Sequence, residues 1–125
     1  ATEHCLFSNF ICMNEINWAE ELCVAITVSD TSGKILYMND KSAVTFDTNG
    51  GKELVGKNLR DCHLPGSWEK ILGIMNSQKA NCYTIEKEGI RKLIYQTPWY
   101  DKGKLSGLVE LSMMIPFNMD HFVRT

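Results

Sequence analysis

The stretch from Val24 to Asn39, Val-Ala-Ile-Thr-Val-Ser-Asp-Thr-Ser-Gly-Lys-Ile-Leu-Tyr-Met-Asn, constrains the fold more than any other part of the chain. Val24, Ile26 and Val28 alternate with Ala25, Thr27 and Ser29, the period of two that suits a half-buried strand. Asp30-Thr31-Ser32-Gly33 follows as a turn, because an Asp side chain bonds nearby backbone and glycine takes a positive φ without steric cost. Lys34 to Met38 returns as a second strand, so an antiparallel hairpin is expected. Asn39-Asp40 then offers an N-cap for a short helix through Phe46, since either side chain accepts from the free amides of a first turn.

The middle of the chain carries no strand pattern. Thr48-Asn49-Gly50-Gly51 breaks it, and Lys52 to Val55 has room for a single helical turn ended by Gly56. Pro65 halts regular structure, and Ser67 is expected to cap a helix over Trp68 to Met75 whose Trp68, Ile71, Leu72 and Met75 form one apolar stripe. The last third predicts three strands, Cys82 to Lys87, Arg91 to Trp99 and Leu105 to Ile115, joined by compact turns at Glu88-Gly89 and Asp101 to Lys104. Pro98 removes a ladder donor and points to an edge or bulge there. Leu93, Tyr95, Thr97 and Trp99 share one face of their strand while Ile94, Gln96 and Tyr100 share the other, and the pattern leaves open which looks inward. Ahead of the hairpin, the apolar spacing over Phe7 to Leu22 predicts a helix, with Ser8 or Asn14 as cap. Two strands, helices and three strands make an α+β chain.

At 125 residues and 44% hydrophobic, one domain with a real core is expected. Thirteen basic against 15 acidic residues leave a charge of -2, which gives no electrostatic footprint for nucleic acid or an anionic membrane. No apolar run approaches the roughly 18 residues that span a bilayer, and the opening Ala-Thr-Glu-His-Cys lacks signal-peptide character. A cytoplasmic location is the expectation, with anchoring of a parent protein left open. Cys5, Cys12, Cys23, Cys62 and Cys82 are odd in number and contain no Cys-x-x-Cys pair, so free, mostly buried thiols are expected in place of a disulfide framework or zinc site.

From about Cys23 to Pro116 the chain resembles a PAS sensory domain. Three local matches in order carry the resemblance: the hairpin with Asp30, Gly33 and Asn39, the segment Glu53-Leu54-Val55-Gly56-Lys57-Asn58-Leu59, and the hairpin Asp101 to Gly107. The resemblance implies a five-stranded antiparallel sheet with short helices over one face, enclosing a small pocket and signalling through terminal helices. Residues 1–22 would then be a flanking helix, 23–116 the PAS domain and 117–125 the start of a C-terminal linker or exit helix. A sheet covered on one face leaves the other needing cover, so a homodimer is expected. Flavin-binding light sensors of the family carry a reactive cysteine in Gly-x-Asn-Cys-Arg. Here Gly56-Lys57-Asn58-Leu59-Arg60 places leucine at the thiol position, which rules out an adduct there and leaves open flavin binding without one.

His63, beside Cys62, lies near where haem-binding relatives carry an axial ligand, although it precedes Pro65 instead of lying within the helix. Pocket candidates implied by the fold are His63, Trp68, Leu72, Met75, Tyr83, Tyr95, Thr97 and Trp99, whose aromatic members serve equally well as core. The charged run Glu86 to Lys92 reads as solvated surface. His4, His121, Ser67, Asp30 and Asp101 are not tied by spacing into a catalytic set, so no enzyme is expected. The expectation is a sensor or interaction domain of a larger signalling or transcription-regulating protein, binding a small molecule and relaying the change through flanking helices and dimerisation. The alternatives are a structural dimerisation module with a filled pocket, and a haem-based gas or redox sensor.

Overall fold

The computed structural model describes residues 16–62 and 66–125. Five strands form one antiparallel sheet in the order β2-β1-β5-β4-β3, where β1 is Ala25–Asp30, β2 Ile35–Met38, β3 Asn81–Lys87, β4 Ile90–Asp101 and β5 Lys104–Ile115. Between β2 and β3 come α1 (Asp40–Thr45), two short 3₁₀ turns (Asp47–Asn49 and Gly51–Leu54), α2 (Leu59–Cys62) and α3 (Ser67–Ser77). The helices lie on one face: α1 packs on β1, and α3 packs across β4 and β5. Ile35, Met38, Leu54, Leu59, Ile71, Ile74, Met75 and Leu108 form the core between these layers, with Phe46, Trp68, Leu72 and Leu105 packed against it.

The opening turn forms as its chemistry requires. Asp30 Oδ1 accepts from Ser32 N (2.9 Å), Ser32 Oγ (2.7 Å) and Lys34 N (2.9 Å). Partial burial penalises this carboxylate, but the hydrogen bonds outweigh it and hold Asp30 below the ordinary aspartate range. Gly33 closes the turn at φ 93°, and a Cβ there would sit 2.6 Å from the Trp68 ring and 2.9 Å from Asn58 Oδ1. The turn is thereby locked against the first residues of α3 and the loop before α2.

Asn39 is fully buried and uses all of its amide. Its Oδ1 accepts from Ile26 N (2.9 Å) and caps α1 through Ser42 N (3.0 Å), while Nδ2 donates to Ala19 O and Val24 O, each at 2.8 Å. One side chain thus joins β1, α1 and the segment leading into the sheet. Glu20 fastens the same segment from outside, accepting from Tyr37 Oη at 2.9 Å and pairing with Lys52, which also lies 3.3 Å from Asp40.

Several expectations are corrected. Residues 16–22 form a turn, not the end of a helix, with Leu22 N bonded to Ala19 O; the remainder of the expected flanking helix lies outside the described residues. The Asn39 bonds explain the turn, because they require the Ala19 and Val24 carbonyls to face one amide. Ser67 is the first residue of α3 and makes no capping bond; Gly66, at φ 93°, is the N-cap. Residues 117–125 are not helical. Arg91 holds Phe117 to the start of β4 through a 3.2 Å bond to its carbonyl and a stacking contact 4.6 Å from its ring. Cys23 and Cys82 are exposed free thiols, since one precedes the sheet and the other lies on the edge strand β3. Pro98 lies beyond the end of β3, which reaches only Gln96, and a register shift follows at Trp99/Tyr100.

Candidate functional site

Strand alternation and the pairing register decide which side chains meet beneath the helices. Opposite one another on the inner face stand Thr27, Glu110, Gln96 and Asn81, contributed in turn by β1, β5, β4 and β3. Asn81 Nδ2 donates to Gln96 Oε1 (3.0 Å), and Gln96 Nε2 donates to Glu110 Oε2 (2.8 Å). Both bonds run in the same sense, so the two amides are oriented by the carboxylate at the end of the chain. Thr27 Oγ1 and Ser42 Oγ lie 2.5 Å apart beside it.

Two spaces adjoin this ladder. An interior cavity of about 30 Å³ is bounded by core residues such as Ile35, Leu54, Ile71 and Leu108 together with Thr27, Ser29, Phe46 and Glu110. It has room for about two water molecules. Outside it, a groove of about 870 Å³ runs between α3 and the β3–β4 face, walled by Ile71, Ile74 and Ser77 on one side and by Asn81, Tyr83 and Gln96 on the other. Phe46, Ile71 and Glu110 border both spaces. A third, smaller recess again includes Phe46, Tyr83 and Glu110. Partial burial, then the Glu110 charge, pushes the Tyr83 hydroxyl above its ordinary value.

The structure divides the sequence-based site residues. Met75 is buried in the core, with Trp68 and Leu72 packed against it; Arg60 stacks 4.5 Å from the Trp68 ring. Tyr83 lines the groove. Tyr95, Thr97 and Trp99 alternate out of phase with Ile94 and Gln96 and lie on the opposite face, where Tyr95 is 37% exposed. Trp99 Nε1 donates to Ser29 O at 2.9 Å, a structural tie between β4 and β1. His63 lies outside the described residues.

Glu110, Gln96, Asn81 and Phe46 were not singled out from sequence. A signal existed in the run Leu108-Val109-Glu110-Leu111, where a carboxylate interrupts an apolar strand. Assigning it inward required the sheet register.

A cavity of about 30 Å³ takes neither a haem nor a flavin ring. Leu59, at the position of the flavin-reactive thiol, is itself a core residue lining that cavity. Among the described residues, no helix is long and apolar enough to cross a membrane.

The sheet order, the helices confined to one face and the small interior cavity are those of the PAS fold, and solved structures agree. A PAS domain from Colwellia psychrerythraea superposes with a TM-score of 0.61 at 21% identity, covering 84% of this chain and 97% of that one. The PAS domain of histidine kinase ThkA gives 0.58 at 22% identity, with 72% and 97% covered. VqmA of Vibrio cholera, in a complex with ligand and DNA, gives 0.64 at 15% identity over 82% of this chain and 50% of that one. No protein-family model and no curated protein matches the chain. The chain therefore has the PAS-type fold that its hairpins implied.

Proposed function

We propose that this chain is a ligand-sensing domain of a larger signalling or transcription-regulating protein, residues 23–116 forming the sensor and the flanking segments its connections. The observation that carries this reading is the groove of about 870 Å³ floored by the Asn81–Gln96–Glu110 ladder, within the size range of small-molecule sites. Neighbours in fold belong to a histidine kinase and to VqmA, the latter solved with a ligand and DNA, which supports a regulatory role. Binding acts here by favouring one arrangement over another, without a catalytic step. The relay runs through the leading segment: Leu54 borders the interior cavity, and Lys52 on the same turn pairs with Glu20. Ile16 and Trp18, 83% and 66% exposed, support a second copy of the chain as their cover. A cytoplasmic setting without direct nucleic-acid contact completes the reading, in keeping with the near balance of charge.

The small interior cavity favours a second reading, a dimerisation module whose pocket is filled by its own side chains. Native mass spectrometry of freshly purified protein, with hydrogen exchange before and after addition of a metabolite extract, separates the two. The sensor reading expects added mass of a small organic molecule and altered exchange at residues 16–24. A bare dimer whose exchange does not respond to extract would refute it.

A further inference from the structure

Glu110 is placed unlike the other carboxylates that the fold positions. It stands on the inner face of a central strand, borders the interior cavity, the groove and the adjoining recess, and accepts one side-chain hydrogen bond, from Gln96. Glu20 and Glu86, by contrast, have Lys52 and Arg91 beside them. Among the described residues no lysine, arginine or histidine forms an ion pair with Glu110. Lys70 and Lys79 line the groove but are exposed, where solvent and salt screen their charge. Lys92 borders the neighbouring recess without reaching the carboxylate. A half-buried carboxylate with a single amide donor keeps acceptor capacity free toward the groove, which a ligand that brings positive charge and N–H donors can fill.

The surroundings select further. Phe46 and Tyr83 both border the groove and the recess, so two aromatic side chains line the same spaces as the carboxylate. Aromatic faces attract a cation and repel an anion. Ile71 and Ile74 supply an apolar wall for an organic body, and the groove has the volume for one.

We infer that this groove binds a small organic ammonium compound, its charged nitrogen anchored on Glu110 between Phe46 and Tyr83 and its apolar body lying against Ile71 and Ile74. This rests on the sensor reading above and narrows it to one ligand class. Gln96 and Asn81 are positioning residues, holding the carboxylate through bonds that all donate toward it.

The test is an NMR-monitored titration with three probes of matched shape, phenethylamine, 2-phenylethanol and phenylacetate. Saturable binding of the amine is expected, at least about tenfold tighter than the alcohol, with shifts centred on Tyr83, Gln96 and Glu110. Glu110→Gln should weaken the amine about tenfold to a hundredfold and leave the alcohol unchanged. Tyr83→Leu, at a residue 44% exposed and tolerant of change, should weaken the amine severalfold. Equal binding of amine and alcohol, preference for phenylacetate, no binding by the amine, or an unchanged affinity in Glu110→Gln each overturns the inference. If native mass spectrometry instead finds a neutral or anionic molecule that Glu110→Gln retains, the sensor reading stands while the ligand class falls. A protein that never carries or responds to any small molecule removes both.

Discussion

Replacing Asn39 by alanine removes four hydrogen bonds from a fully buried site. Two of the orphaned groups, Ile26 N and Ser42 N, are deep, and each costs about 1 to 3 kcal/mol when left without a partner. The other two, Ala19 O and Val24 O, belong to half-buried residues that water reaches with modest movement, so about 0.5 to 1 kcal/mol each is appropriate. The cap lost from α1 is already counted in the Ser42 bond. The sum is about 3 to 8 kcal/mol, a large share of the stability of a domain this size. Urea denaturation checks it through the midpoint shift at unchanged slope. A loss below about 1.5 kcal/mol would refute the view that this amide holds three elements together.

Asn39→Asp makes the argument sharper. The acceptor to Ile26 N and Ser42 N survives, but both donors are lost and a carboxylate faces the carbonyls of Ala19 and Val24. Burial and those carbonyls disfavour its charged form, so its folded pKa is raised. A raised pKa means that stability is present below the unfolded value and is lost as pH rises. The variant should therefore be closest to wild type under mild acid and furthest from it at neutral pH. Hydrogen exchange should report opening of residues 19–24 ahead of the sheet.

Three other outcomes follow from single contacts. Gly33→Ala drives a Cβ against the Trp68 ring at a left-handed φ, and a loss of about 1 to 3 kcal/mol is expected in thermal melts; an unchanged melting temperature would contradict the locked turn. Gly107→Ala brings a Cβ into the Ser29 backbone oxygen on the neighbouring strand, so β1 and β5 cannot pair at that point, and soluble expression at wild-type levels would refute the close approach. The hydrogen bond from Lys52, then that from Tyr37, holds the Glu20 carboxyl below its ordinary range, so its contribution is present at neutral pH and lost as pH falls through the folded value. The melting-temperature gap between wild type and Glu20→Gln should accordingly close below the ordinary carboxylate range, and a gap independent of pH would dismiss the pairing.

What the sequence disclosed about the fold was carried by short-range chemistry. The Asp30 turn, the positive φ of Gly33 and the cap that Asn39 places on α1 each act within a few residues, and each is what the residue type dictates. The strand pairs joined by Glu88-Gly89 and Asp101 to Lys104 were legible for the same reason. Less legible were the elements whose partners lie far along the chain. Asn39 reaches back to Ala19 and turns the expected helix end into a bent segment, which no local pattern announces. The alternation of β4 identified two faces without orienting them. Orientation came from Ile94 and Gln96 meeting Ser112 and Glu110 under the helices, a fact of register. That one missing bit moved Tyr95, Thr97 and Trp99 to the far side and brought Gln96 and Glu110 into the site.

The same geometry ties the proposed site to the proposed output. Phe46, which borders the cavity and the groove, ends α1; Asn39, which begins α1, holds the Ala19 carbonyl. Leu54 borders the cavity from a turn whose Lys52 grips Glu20. A ligand that shifts Phe46 or Leu54 therefore acts on both ends of the attachment holding residues 19–24. It moves that attachment only by the difference in its affinity for the two arrangements. The surface pair between Lys52 and Glu20 is readily exchanged with solvent, whereas the buried Asn39 amide is not. Signal-dependent release should consequently begin at Glu20 and stop at Asn39, and exchange data showing Ala19 freed before the Lys52 contact breaks would reverse that order.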